Sequence, residues 1–327
     1  MGRGSVGSGL LFAYAGDADG PPVRLAPRDI PAAMAERQWV WIAVDLIDQR
    51  VHDWIREIGR LGPAASALMA GLESAPVLEY EEGALHGVFA DFSIDFLRVS
   101  DSIGGFAFAV RDGLLVTGWR HPLAGVDAAR RALDGGARQA SSFAILAAIV
   151  AGFCRTGVQR LRTAETELDQ VEDQLLAAQP ADERKALKGV RRLALALHRP
   201  VTAMTRLLRE AAEEAELSPD GTAALDEMAT RLDLLDQSVL TLMDRAKLLQ
   251  EEVATELAEQ SNRSLRTLTV MTALMLPGTL VVGFFGMNTG GLPFEHSAAG
   301  TAGAALLWAV CTFVFWRILV RTGALRF

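Results

Sequence analysis

Residues 225–253 have the sequence LDEMATRLDLLDQSVLTLMDRAKLLQEEV, and this stretch decides the fold. Its apolar residues recur at alternating spacings of three and four, which amounts to a period of about 3.5 residues. The repeat consists of Leu225, Met228, Leu232, Leu235, Val239, Leu242, Ala246, Leu249 and Val253. Such a seam is typical of a helix that packs against neighbouring helices or against copies of itself. The sequence therefore predicts a long helical stalk.

The predicted helix continues toward the C-terminus, because residues 222–276 contain neither proline nor glycine. It enters the uncharged stretch 267–294, which has 28 residues, and a second uncharged stretch, 297–316, has 20. About 20 mainly apolar residues cross the hydrocarbon core of a bilayer. The sequence thus predicts two membrane spans, at about 266–286 and 298–319.

Charge is divided unevenly between the predicted membrane segment and the rest of the chain. Residues 263–327 contain five arginines and one glutamate, so the total of −8 leaves a net charge of −12 on residues 1–262. An acidic soluble portion disfavours nucleic acid and anionic membrane surfaces as partners, and it suits the attraction of cations. Arginines precede the first span and end or follow the second, whereas the loop 289–299 between the spans has no lysine or arginine. Both termini are therefore expected in the cytoplasm, with Glu295 in an outward-facing loop.

Residues 1–136 are predicted to form a cytoplasmic α+β domain. Residues 38–45 are rich in aromatic and β-branched side chains and predict a strand. A helical stretch is expected over 51–72, broken near Gly62-Pro63. Two hairpins are expected farther on, with turns at 81–83 and 112–113, because Gly-containing turn sequences separate apolar runs there.

Residues 137–264 are predicted to be a cytoplasmic helical stalk region, and 265–327 the transmembrane hairpin. The apolar run 143–153 is too short to cross a membrane and predicts a buried helix face. A second helix of this region is expected to kink or break at Pro200 and to stop at the turn cluster 218–221.

Little in the sequence indicates catalysis or a resident cofactor. Cys154 and Cys311 are far apart, which disfavours a disulfide framework or a cysteine-based zinc site. No P-loop and no Gly-x-Ser-x-Gly motif is present, so we expect neither an enzyme nor a cofactor. The five histidines show no metal-ligand spacing, and we expect them to be solvated or hydrogen-bonded at the surface. They are His52, His86, His121, His198 and His296.

The first span ends in GFFGMNTGGLP, residues 283–293. Gly286 allows close approach of backbones, and Asn288 places a carboxamide where the helix meets water. Symmetric copies of Asn288 would form a ring of amide oxygens that accepts hydrogen bonds from the waters of a hydrated divalent cation. Judged from the residues alone, the alternative is a simple helix stop, since Asn after a helix is a common terminator.

The Gly286-Met287-Asn288 motif, placed at the end of the first of two C-terminal spans and after a very long helix, resembles the signature of the CorA family of divalent-cation channels and transporters. The Thr-Gly-Gly-Leu-Pro that follows is similar to the zinc-transport branch, the ZntB proteins. The resemblance extends back through 259–266 and through Leu276-Pro277. It implies a funnel-shaped homopentamer in a bacterial inner membrane, with the first span lining the pore.

The resemblance also implies roles for individual residues. Asn288 with Met287 would form the outer selectivity ring, and Gly286 the close-packing position. Thr279 would be a polar rung, Leu276 and Leu265 apolar constrictions, and Asn262 the cytoplasmic mouth. Asn262, Leu265, Thr272, Leu276, Thr279 and Gly286 recur at spacings of three, four or seven, so one stripe of a helix can hold them. Glu295 is expected to attract cations at the outer loop, and no tightly bound metal is expected. Gly278 departs from the family, which has a larger residue there, and predicts a looser kink at Pro277.

Zn²⁺ is the transported ion that the resemblance favours, and a magnesium, cobalt or nickel channel is the alternative. Direct zinc coordination would call for His or Cys on the pore stripe, and none lies there. A membrane-anchored coiled-coil signalling protein is an alternative of a different class. Threonines within the first span would be costly against lipid unless their hydroxyls bond back to the helix.

Overall fold

The computed structural model divides into two compact units, Met1–Leu249 and Gln250–Phe327. The residues that it describes are 9–48, 50–51, 54–55, 61–71, 75–95, 98–111, 113–176, 183–285 and 298–321.

A seven-stranded mixed sheet forms the centre of the first unit, within the described residues. The strands are β1 (Leu10–Gly16), β2 (Val23–Arg24), β3 (Trp39–Asp45), β4 (Val77–Glu81), β5 (Ala84–Asp95), β6 (Arg98–Arg111) and β7 (Leu114–Trp119). Their order is β2-β1-β3-β7-β6-β5-β4, and only the β3–β7 pair is parallel. The strand predicted over 38–45 and both predicted hairpins are confirmed. Gly83 and Gly113 have φ of 78°, as tight turns require, while Asp112 lies outside the described residues.

Helices cover both faces of this sheet. α1 (Ile30–Glu36) and α2 (Gly62–Ala70) pack on one face, where Ile42 and Val116 belong to the same buried cluster as Met69. Of the helix predicted over 51–72, several residues lie outside the described ranges. The other face carries the aromatic side chains Trp41, Phe89, Phe92, Phe106 and Phe108, all buried.

Two helices of the stalk region pack on the aromatic face. α4 (Ser142–Leu176) brings Phe153 to a ring-centre distance of 5.3 Å from Phe92. α5 (Glu183–Glu214) brings the Met204 Sδ to 3.4 Å from the amide nitrogen of Ala90. Before them, the short helix α3 (Ala124–Asp134) follows β7. The burial of 143–153 as a core helix face is confirmed by Leu146 and Ile149, both 0% exposed.

The predicted seam is buried along its whole length. α6 runs from Pro219 to Phe285, and each of the nine seam residues is at most 6% exposed. The helix begins earlier than expected, because Ser218 caps it: its Oγ accepts the Gly221 amide at 3.2 Å. Pro219 then occupies the first helical position, which needs no backbone donor.

Two predictions about α5 need correction. The helix is not interrupted at Pro200, and it ends at Glu214 rather than at 218–221. Leu197, Val201 and Met204 are each 0% exposed around Pro200. Burial of these side chains offsets the backbone hydrogen bond that proline removes, so tertiary packing prevails over the local preference.

Candidate functional site

The second unit contains apolar helices that its own fold leaves uncovered. The apolar part of Pro219–Phe284 is 11% buried, whereas that of Ser142–Leu175, the other long apolar helix among the described residues, is 61% buried. The last described helix, α7 (Ala298–Arg321), contains the apolar segment Ala302–Ile318. Large side chains are exposed around it, such as Leu306 at 68% and Val310 at 51%. A soluble protein rarely leaves so much contiguous apolar surface open.

One face of the C-terminal part of α6 is packed and the opposite face is open. The packed stripe consists of Val270, Ala273, Leu274, Pro277, Gly278 and Val281, and all other residues from 254 to 284 are exposed. The predicted pore residues all lie on the open side. They are Asn262, Leu265, Thr272, Leu276 and Thr279. At about 100° of rotation per residue, the two stripes are centred roughly 150° apart.

The threonines of the open helix satisfy their own donors. The Thr272 hydroxyl donates to the carbonyl of Leu268 at 2.8 Å, and the Thr279 hydroxyl to that of Met275 at 3.1 Å. Thr267 and Thr269 do the same at 2.9 and 2.8 Å. Each hydroxyl oxygen therefore keeps lone pairs that accept hydrogen bonds. The waters around a cation point their hydrogens outward, so such oxygens suit a hydrated ion.

Residues of the second unit that sequence reasoning did not select lie on the packed side. A Cβ on Gly278 would lie 2.4 Å from Nε1 of Trp308, so the indole occupies the space that a side chain would take. By contrast, Gly303 of α7 has no atom within 4 Å of such a Cβ. At the position where Gly278 predicts a looser kink, the structure therefore has a tight contact between two helices. The unusual glycine was the one sequence signal for it.

The predicted outer motif falls in the part of the chain that the structure does not describe. Gly286, Met287, Asn288 and Glu295 all lie within 286–297, outside the described residues. Their predicted roles stay predictions.

Among the described residues of the first unit, one carboxylate is fully buried. Asp91, at the middle of β5, is 0% exposed, and burial raises its pKa to about 7 against the opposing effect of three backbone donors. The donors are the amides of Phe92, Gly125 and Val126, at 2.8, 2.7 and 3.1 Å. All its short contacts are to the backbone, which is the environment of a helix cap rather than of a metal ligand.

The described histidines differ from one another in environment. His86 is 1% exposed, so its predicted surface position is wrong; residues on both faces of β5 are buried from Ala84 to Ser93, and its Nε2 lies 3.6 Å from the Glu79 carboxylate. His198 lies at the surface and its Nδ1 is 2.7 Å from Asp236. Within the described residues, no group of three or more His, Cys, Asp or Glu side chains is placed to hold a metal ion.

Comparison with known proteins agrees with this architecture. Residues 36–321 match the family described as CorA-like Mg2+ transporter protein. The zinc transport protein ZntB of Yersinia enterocolitica (serotype O:8 / biotype 1B) is 22% identical over 310 residues, covering 93% of this chain and 92% of that protein.

Two solved structures have the same fold over nearly the whole chain. The full-length CmaX protein gives a TM-score of 0.78 at 19% identity, with 96% of this chain and 97% of the other covered. The CorA magnesium transporter of Methanocaldococcus jannaschii gives 0.76 at 17% identity, with 96% and 99% covered.

These matches define a divalent-cation transporter with an α/β soluble domain, a long helix and transmembrane helices. The chain belongs to the CorA-like Mg2+ transporter family. The predicted resemblance and fold are thereby confirmed, and the alternative of a signalling coiled coil is set aside.

Proposed function

We propose that five copies of this chain form a pore through which Zn²⁺ crosses the bacterial inner membrane. The open stripe of α6 carries the proposal. It lies opposite the packed stripe of the same helix, and it combines apolar residues with hydroxyls and an amide. Threonines whose hydroxyls bond back to the helix can face lipid at little cost, but a hydrated central path gains from the acceptor oxygens that these hydroxyls and the Asn262 amide present on one stripe.

In this proposal the ion passes with most of its water. The oxygens of Thr272 and Thr279 accept hydrogen bonds from the hydration shell, as does the ring of Asn288 amides at the outer mouth. Leu265 and Leu276, which are 58% and 56% exposed in the single chain, form apolar constrictions in the ring of subunits. Constrictions of this kind interrupt conduction by losing their water.

Charge favours cations at both ends of the proposed path. With both termini in the cytoplasm, the soluble portion carries the net charge of −12, and Glu295 in the outer loop is a carboxylate near the entrance. Neither feature distinguishes one divalent cation from another.

The choice of zinc rests on the named relative ZntB, which aligns over 93% of this chain. Its identity of 22% leaves magnesium as the competing ion, since the family takes its name from Mg²⁺. A hydrated-ion path also explains why no His or Cys on the open stripe is needed for transport.

The test is a flux assay with the purified full-length protein in liposomes that contain a fluorescent indicator for Zn²⁺ or for Mg²⁺. We expect Zn²⁺ influx, and we expect Asn288→Ala to reduce the rate at least about tenfold or to abolish the preference for Zn²⁺. Gln237→Ala is the matched control, because it removes an exposed amide from the stalk part of the same helix. Absence of flux for every divalent ion, with and without a pH gradient, would contradict transport. Flux of Mg²⁺ without Zn²⁺ would contradict zinc as the ion.

A further inference from the structure

The contact between Gly278 and Trp308 lies where α6 has lost part of its backbone support. Pro277 has no N–H, so the carbonyl of Ala273 lacks its usual helical donor. The next residue, Gly278, brings no side chain to brace the backbone. The helix is nevertheless continuous from Pro219 to Phe285. A group outside α6 therefore has to restrain this point if the open stripe is to keep one geometry.

The indole of Trp308 is in position to do so. A Cβ on Gly278 would lie at 2.4, 3.0 and 3.5 Å from Nε1, Cδ1 and Cε2 of Trp308. The edge of the ring thus rests against the α6 backbone itself rather than against a side chain. Such a contact transmits displacement directly, because close-packed groups yield little.

The neighbouring residues of α7 indicate that the side of the helix that carries Trp308 is its more buried side. Among the residues of α7 whose exposure is described, Ala304, Cys311 and Thr312 are half-buried and the others are exposed, Trp308 at 50%. The three half-buried residues are spaced around Trp308 at intervals of three and four, so the four residues share one stripe. Trp316, two turns beyond Trp308, is 46% exposed and contacts Phe313 of its own helix, with ring centres 5.9 Å apart.

We propose that Trp308 is a positioning residue for the pore: by filling the space over Gly278 it fixes the backbone that carries Leu276 and Thr279. Leu276 lies about 160° around the helix from Gly278, so a push at the glycine moves the leucine toward the open side. The second span then sets the width of the path without lining it. The effect on the pore rests on the proposed function, whereas the contact between Trp308 and Gly278 does not.

A double-mutant cycle in full-length protein in liposomes tests the inference. Gly278→Ala forces a methyl group into the indole, and we expect the maximal Zn²⁺ flux to fall about tenfold while the half-saturating concentration stays the same, because the entrance is untouched. Trp308→Ala removes the obstacle, so the double variant should recover to within about threefold of the wild-type rate. Gly303→Ala and Trp316→Ala are the matched controls and should stay within about twofold, since a Cβ on Gly303 would meet no atom within 4 Å. Size-exclusion profiles of all variants establish equal assembly.

Two outcomes would overturn the inference: a Gly278→Ala variant as fast as Gly303→Ala, or a double variant no faster than Gly278→Ala. If the wild type moves no ion, the proposed function fails, and the contact is tested by thiol labelling instead. In a Cys311→Ser background, the labelling rate of Thr279→Cys by a small charged thiol reagent should change with Gly278→Ala and return with the double variant. An unchanged labelling rate would overturn the inference independently of transport.

Discussion

Removal of the buried Asp91 carboxylate should uncap α3. The helix begins after Leu123, whose side chain offers no acceptor to the first turn. Asp91 supplies the acceptor from β5: its Oδ2 lies 2.7 Å from the amide nitrogen of Gly125 and 3.1 Å from that of Val126. Space for it exists because residue 125 is a glycine; a Cβ there would lie 3.0 Å from both carboxylate oxygens of Asp91. Asp91→Ala would leave both amides buried without a partner.

The magnitude follows from these contacts. Leaving buried donors without a partner costs roughly 1–3 kcal/mol, and loss of a cap roughly 0.5–2 kcal/mol. The two figures describe overlapping interactions, so we expect Asp91→Ala to lower the free energy of opening α3 by about 2–4 kcal/mol. Asp127→Ala is the control on the same helix: it removes the partially exposed ion pairs with Arg130 and Arg131, worth at most about 1 kcal/mol.

The assay is hydrogen exchange by mass spectrometry on the full-length protein in detergent, because a chain of two units need not unfold in one step. An effect of about 2–4 kcal/mol accelerates exchange in 124–134 roughly 30- to 1,000-fold. If Asp91→Ala exchanges no faster than Asp127→Ala, the carboxylate does not cap the helix.

Dependence on pH gives a second test of the same residue. Because burial raises the pKa of Asp91 to about 7, the folded state binds a proton more tightly than the unfolded chain does. Its contribution to stability is therefore complete below about pH 4 and is lost as the pH rises to about 7, by up to roughly 4 kcal/mol. Asp91→Asn does not titrate, so its stability should vary less over that range. Parallel pH profiles of the two proteins would refute the raised pKa.

Two further variants have matched controls on α6. Leu232→Ala, at a seam position that is 0% exposed, should destabilise the protein by roughly 2–5 kcal/mol in chemical denaturation followed by circular dichroism, whereas Leu234→Ala, 60% exposed, should be close to neutral. Thr272→Val removes an acceptor oxygen from the open stripe and should slow Zn²⁺ flux about threefold or more, whereas Thr267→Val, off that stripe, should not. Equal flux in the two threonine variants would contradict the assignment of the stripe.

Features encoded by local periodicity were predictable from the sequence. The seam of α6 is the clearest case, since a repeat of three and four needs no knowledge of its partners. The strand Trp39–Asp45 and the two hairpins were equally accessible, because alternation and glycine-containing turns are local signals. The local signal at Pro200 misled, since helix packing on both sides of it outweighed the missing hydrogen bond.

Features that join distant residues were not predictable in the same way. Asp91 is 34 residues before Gly125, and nothing in the sequence near either one indicates the pair. A helix start without Ser, Thr, Asp or Asn, as at Leu123, was the available hint that another element supplies the cap. Trp308 is similar: the sequence shows an unexpected glycine at 278, but only the fold shows which side chain occupies the vacated space.

The change in character of α6 along its length ties the candidate site to the fold. Its seam is buried through Val253, and from 254 to 269 every residue is exposed. Over that exposed stretch the seam positions become polar, as Gln260, Ser264 and Thr267. A single helix of this kind would not be stable without partners, because a helix in a protein gains most of its stability from packing against other elements. Copies of the same helix around a hydrated path would provide the missing partners for this stretch and water for the polar residues of the open stripe. The same arrangement gives Leu265 and Leu276 a function, since apolar residues on an otherwise polar path are barriers rather than a core.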